Sequence, residues 1–60
     1  MNLPLQMQVR ILKDKLKLES RRYTEVIREG DFTAAKAIKT RINNLEMEMD
    51  KLLPYMAQKN

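Results

Sequence analysis

Arg28-Glu29-Gly30-Asp31-Phe32 lies at the midpoint of this 60-residue chain and contains its single glycine. A glycine readily takes the left-handed conformation that ends a helix, and an aspartate is a preferred N-cap for the helix that follows. Long amphipathic stretches flank the pentapeptide on both sides. It therefore predicts one reversal of direction: helix 1 over about 3–29, a turn at 30–31, and helix 2 over about 32–53. The expected fold is all-α, an αα-hairpin forming a single domain over residues 1–60.

Apolar residues outward from the turn step by four and three. In the first half the series runs Leu5, Val9, Leu12, Leu16, Glu19, Tyr23, Val26, with Glu19 the one polar member. In the second half it runs Ala35, Ile38, Ile42, Leu45, Met49, Leu52, Met56. This is the a/d spacing of a coiled coil, and neither half shows the period of two that a strand requires. Residues level with each other in an antiparallel hairpin have numbers of constant sum. Val26 with Ala35, Tyr23 with Ile38, Glu19 with Ile42 and Leu16 with Leu45 each sum to 61, as do Leu12 with Met49, Val9 with Leu52 and Leu5 with Met56. Two frames joined by an arbitrary loop need not register in this way, so the match predicts a tight turn and a seam along the whole length.

Residues beside the seam add detail. In antiparallel coils e positions meet e and g positions meet g, which sets Lys15 opposite Glu48 and Lys13 opposite Glu46. Ile27 and Phe32, facing e positions, are expected to close the turn end. Arg22 lies opposite Arg41, a like-charge pair that needs an anion between its members, and Glu19 is the nearest. Pro4 fits the first turn of helix 1 with Asn2 or Leu3 near the cap. Pro54 cannot donate a helical hydrogen bond, so helix 2 either ends near Leu53 or kinks and runs on to about 57. The tail Gln58-Lys59-Asn60 is expected to fray.

Composition narrows the function. With no cysteine and no histidine, the chain has no disulfide and lacks the commonest zinc ligands, and no cofactor or metal site is expected. No apolar run approaches the ~18 residues of a membrane span. The start Met1-Asn2-Leu3-Pro4-Leu5-Gln6 has neither the basic region nor the apolar region of a signal peptide, so a cytoplasmic location is expected. A net charge of +4 keeps nucleic acid in consideration without requiring it. No nucleophile motif, phosphate-binding glycine loop or paired acid is present, and the expectation is a protein that is not an enzyme.

Three groups of residues are left to carry a function. Glu19 sits at a core position, where a long carboxylate either reaches out to Arg22 or Arg41 or forms a polar layer that fixes register and partner. Met7, Ile11, Leu18 and Met47 are apolar yet fall outside the seam. Because a two-helix hairpin covers only one face of each helix, such residues suit a second contact surface, either for a like hairpin in a four-helix bundle or for a partner helix in a groove. Arg21, Arg22, Arg28, Lys36, Lys39 and Arg41 gather in the turn half and are candidate phosphate contacts, although with Tyr23 in the seam they lack an interleaved aromatic.

The segment Phe32-Thr33-Ala34-Ala35-Lys36-Ala37-Ile38-Lys39-Thr40-Arg41-Ile42-Asn43-Asn44-Leu45 resembles the second helix of the UVR motif. That motif is the helical hairpin of the B and C subunits of the bacterial excision nuclease and of some protease adaptors. Phe32, Ala35, Ile38, Ile42 and Leu45 stand where the family keeps aromatic, small and aliphatic residues, and Lys39 where it keeps a basic one. Tyr23 and Val26 fill apolar places of the first helix. The chain departs at Gly30, Thr33 and Lys36, and at Lys39-Thr40, where the family has an Arg-Asp pair. The resemblance covers about half the chain and implies pairing between hairpins. Glu48-Met49-Asp50-Lys51-Leu52-Leu53 is similar to the Glu-Leu-Asp-x-Leu-Ile core of small sporulation-associated aspartyl-phosphate phosphatases, also helical hairpins, although there the motif lies early in the second helix.

Taken together, the residues predict a small cytoplasmic interaction module or regulator that forms a homodimer as a four-helix bundle. The alternative is a basic hairpin dimer that binds RNA or DNA.

Overall fold

The computed structural model describes residues 3–57. Two helices, α1 (Leu5–Arg28) and α2 (Phe32–Ala57), pack side by side as an antiparallel hairpin measuring 48 × 18 × 17 Å. Asn2 and the tail Gln58-Lys59-Asn60 lie outside the described residues, as does the side chain of Met56.

The turn satisfies the backbone groups that two helix ends leave open. Gly30 adopts φ +80°, and its N–H donates to the carbonyl of Ile27 at 3.0 Å. The N–H of Asp31 donates to the carbonyl of Val26 at 2.8 Å. These two bonds form a Schellman motif that closes α1. Asp31 also opens α2, because its Oδ1 accepts the N–H of Ala34 at 3.1 Å and its carbonyl accepts that of Ala35 at 3.0 Å. One residue thus ends one helix and starts the next, which is how a connection of three residues suffices. A Cβ added at Gly30 would meet nothing within 4 Å, so the demand for glycine is purely conformational. Gly30→Ala is expected to cost about 1–2 kcal/mol through the left-handed backbone, and Asp31→Ala about 1 kcal/mol through the lost cap. Urea unfolding followed by circular dichroism measures both.

Every seam position from Leu5 to Val26 and from Ala35 to Leu52 is buried or half-buried. Among the described residues, Val9, Leu12, Ala35 and Ile38 are the buried ones. Each lies opposite a larger or longer neighbour: Leu52, Met49, Val26 and Tyr23 respectively. The buried residues form two clusters, and the layers between them, Leu16 with Leu45 and Glu19 with Ile42, stay half-open. The seam is therefore weakest at its middle, where the one carboxylate sits.

Three local expectations are corrected, and one alternative is decided. Pro4 stands at the N-cap (φ −56°, ψ 148°) rather than inside the first turn, and α1 starts at Leu5, stitched by a 2.7 Å bond from the Gln8 side-chain amide to the carbonyl of Leu3. Of the two ends left open for helix 2, the structure has the longer one: the helix continues through Pro54 to Ala57. Ile27 and Phe32 do not close the turn end; they are 38% and 68% exposed. With a turn this short and the small Ala35 already covered by Val26, the e positions beside it point away from the seam. Finally, among the described residues the ion pairs join Glu19 to Arg22 and Arg41, and neither Lys15 with Glu48 nor Lys13 with Glu46 forms one. Long exposed side chains gain little from a fixed pairing in water.

Candidate interaction surface

Glu19 leaves the seam on the side where g faces g. Its Oε1 lies 3.4 Å from Nη1 of Arg41 on the other helix, and its Oε2 lies 3.8 Å from Nη1 of Arg22 one turn on. The carboxylate side chain is 14% exposed whereas both arginines are more than half exposed. One anion thus separates two facing cations that would otherwise repel, and it crosses from α1 to α2 at the height where apolar packing is thinnest. The arrangement ties α1 to α2 through a single carboxylate. Glu19→Leu would complete the apolar layer with Ile42. Since a paired charge held away from water is often no better than a well-packed apolar side chain, this substitution is expected to raise the thermal midpoint by roughly 5–10 °C.

Ile11 and Leu18 sit two turns apart on this same flank. Two shallow depressions run along it. The first is lined by Leu3, Gln8, Ile11 and Leu12 from the α1 side and by Glu48, Lys51 and Leu52 from α2. The second is lined by Lys15, Leu18 and Glu19 together with Arg41, Asn44 and Leu45. The floor consists of seam residues left half-covered, the α1 wall is largely apolar, and the α2 wall is charged. Leu3 belongs to this row although sequence reading placed it only near a cap. Tyr55, 65% exposed, occupies a g position level with Gln8 and joins the flank because the helix runs through Pro54. Sequence reading missed it by leaving the end of α2 open at that proline.

Not every apolar residue outside the seam belongs here. Met7 lines a separate depression with Pro4, Gln6 and Arg10. Met47, 60% exposed, lies on the outward back of α2. Of the four residues expected to form one surface, the structure brings together Ile11 and Leu18.

The basic residues also divide. Arg22 and Arg41 are held by Glu19 on the flank just described. Lys13, Lys17 and Arg21 line a depression on the opposite flank with Leu16, Ser20, Thr24 and Met49. Lys39 reaches that side as well, its Nζ 5.9 Å from the centre of the Tyr23 ring, a cation–π contact worth about 0.5–1 kcal/mol where exposed. Lys36 falls at a b position on the same side, and Arg28 at an f position on the outward back of α1, bordering it. Asp50, the centre of the phosphatase-like hexapeptide, is exposed at a b position of α2, whereas its neighbour Glu48 faces the Ile11 flank.

Among the described residues no helix is long and apolar enough to cross a membrane, and no cluster of three potential metal ligands is present. No protein-family model, curated protein or solved structure matches this chain.

Proposed function

We propose that this hairpin is a self-association module, two copies of which pair through the Ile11–Leu18 flank to form a four-helix bundle. The observation that carries the reading is the surface left uncovered. The chain exposes 5237 Å², whereas a compact globule of its mass exposes about 4,100 Å². The difference of roughly 1,100 Å² reflects the elongated shape of a lone hairpin and is of the same order as the ~800 Å² that each partner contributes to a standard interface. An apolar wall with accessible seam residues at its foot is the part of that surface best suited to a second hairpin. The UVR-like segment Phe32–Leu45 supports the same reading, because that resemblance implies pairing between hairpins.

The function on this account is binding rather than catalysis: the module brings together whatever is linked to, or recognised by, its two copies. Thermal unfolding at increasing protein concentration tests it. For a dimer of this size a hundredfold rise in concentration should lift the midpoint by about 10 °C. A midpoint independent of concentration, with full helicity, would contradict it.

A further inference from the structure

The flank opposite Glu19 carries charge of a single sign in its turn half. Lys17 of α1 and Lys36 and Lys39 of α2 fall at b and e positions on this side, and Arg21 and Arg28 at the f positions that border it; all five are exposed and none is in an ion pair among the described residues. The acids of the turn half are placed elsewhere. Glu19, Glu25 and Glu29 fall at d, c and g positions, toward the other flank, and Asp31 is occupied in capping α2. From Phe32 to Leu45 α2 contains no acidic residue at all. Only beyond Leu45 does a carboxylate, Glu46, enter this flank. On α2, Lys36 and Lys39 have no acid three or four residues away, the spacing at which opposite charges stabilise a solvated helix; on α1, Asp14 stands at that spacing from Lys17 and Glu25 from Arg21 and Arg28.

A second observation indicates the ligand. Phe32 occupies the tip of the same flank, one turn before Lys36 and two before Lys39, and is the most exposed large hydrophobic side chain among the described residues. Ile27 lies level with it, and the uncharged Ser20, Thr24 and Asn43 fill gaps between the cations. Cations in a row with a free aromatic face at one end match a single strand of nucleic acid, whose phosphates follow the charges while an unpaired base stacks on the ring. A rigid duplex would reach the charges but would have no unpaired base to offer Phe32.

We infer that the Lys17–Arg21–Arg28–Lys36–Lys39 flank, ending at Phe32, is a binding face for single-stranded nucleic acid. It lies away from the Ile11–Leu18 flank, so strand binding and pairing of hairpins do not compete for surface. Fluorescence anisotropy with a labelled 12-nucleotide oligothymidine, on the full chain, tests the assignment. Five phosphate contacts per hairpin predict that the logarithm of affinity falls against the logarithm of salt concentration with a slope of about −3.5. Arg21→Gln should lower that slope by about 0.7. Phe32→Ala should weaken binding about tenfold or more with the slope unchanged, since it removes stacking and no charge. Arg22→Gln, on the other flank, removes the same formal charge and should alter affinity by less than about twofold. Circular dichroism of each variant checks that the hairpin is retained. Absence of binding at about 50 mM salt overturns the inference, since charge contacts are strongest there. So does an equal loss from Arg22→Gln and Arg21→Gln, which would mean that only net charge matters. Stronger binding to duplex DNA of equal length, or to phosphatidylserine vesicles, would likewise reject a single-strand face.

Discussion

Ile38→Ala should lower the unfolding free energy by about 2–4 kcal/mol, whereas Phe32→Ala, six residues earlier on the same helix, should change it by less than about 0.5 kcal/mol. The larger side chain is the less important one. Ile38 is 6% exposed beneath Tyr23, and truncation there removes buried surface and leaves a gap in one of the two fully packed clusters. Phe32 stands in water, so its removal forfeits little. Domains of this size rarely have more than ~3–5 kcal/mol in hand, so Ile38→Ala should lose much of its helical signal in mild urea. Equilibrium urea unfolding followed at 222 nm compares the two directly. A large effect of Phe32→Ala would mean that Phe32 does close the turn end after all.

On the proposed pairing of hairpins, substitution of Ile11 should act mainly on association. In an interface with two-fold symmetry every substitution is counted twice. Burying an unpaired carboxylate costs at least ~2 kcal/mol per copy, so Ile11→Asp should raise the dimer dissociation constant by about a thousandfold. The isolated hairpin should survive, because Ile11 lies outside the seam and is already 37% exposed. Met47→Asp makes the same chemical change on the back of α2 and should shift the constant by less than about threefold. Analytical size exclusion over a dilution series separates these outcomes. Equal dissociation by both variants would argue for a general loss of stability rather than a defined surface.

How far each feature could be read from sequence depended on whether periodicity governs it. The seam and its register follow from spacing alone, because side chains 3.6 residues per turn apart must share a face. The bridging place of Glu19 was legible for the same reason: Arg22 and Arg41 fall level with it on either helix. Periodicity does not say how far a side chain reaches or whether it finds a partner. It sets Ile27 and Phe32 beside the seam, but both stay exposed next to the short turn at Gly30-Asp31. It set Lys15 level with Glu48, but two solvated chains gain too little to hold one geometry.

Pro54 leaves two ends open for α2. A proline removes one backbone bond, the one its own nitrogen would donate to Asp50, and local preference alone cannot tell whether a helix continues past that loss. Because α2 does continue, Tyr55 acquires a defined direction that the sequence could not assign. Closeness in sequence groups the basic residues of the turn half together, although the seam divides them between two flanks. Assigning each to its heptad position would have separated Arg22 and Arg41 from the rest and brought in Lys17.

The central claim is that one hairpin leaves a flank for a second. Sedimentation equilibrium of the wild-type chain over about 1–100 µM, in ~150 mM salt to screen weak charge contacts, tests it most directly. The account predicts a reversible shift from the 7.1 kDa chain mass toward twice that value as concentration rises. A single fully helical species of 7.1 kDa across the whole range would contradict it.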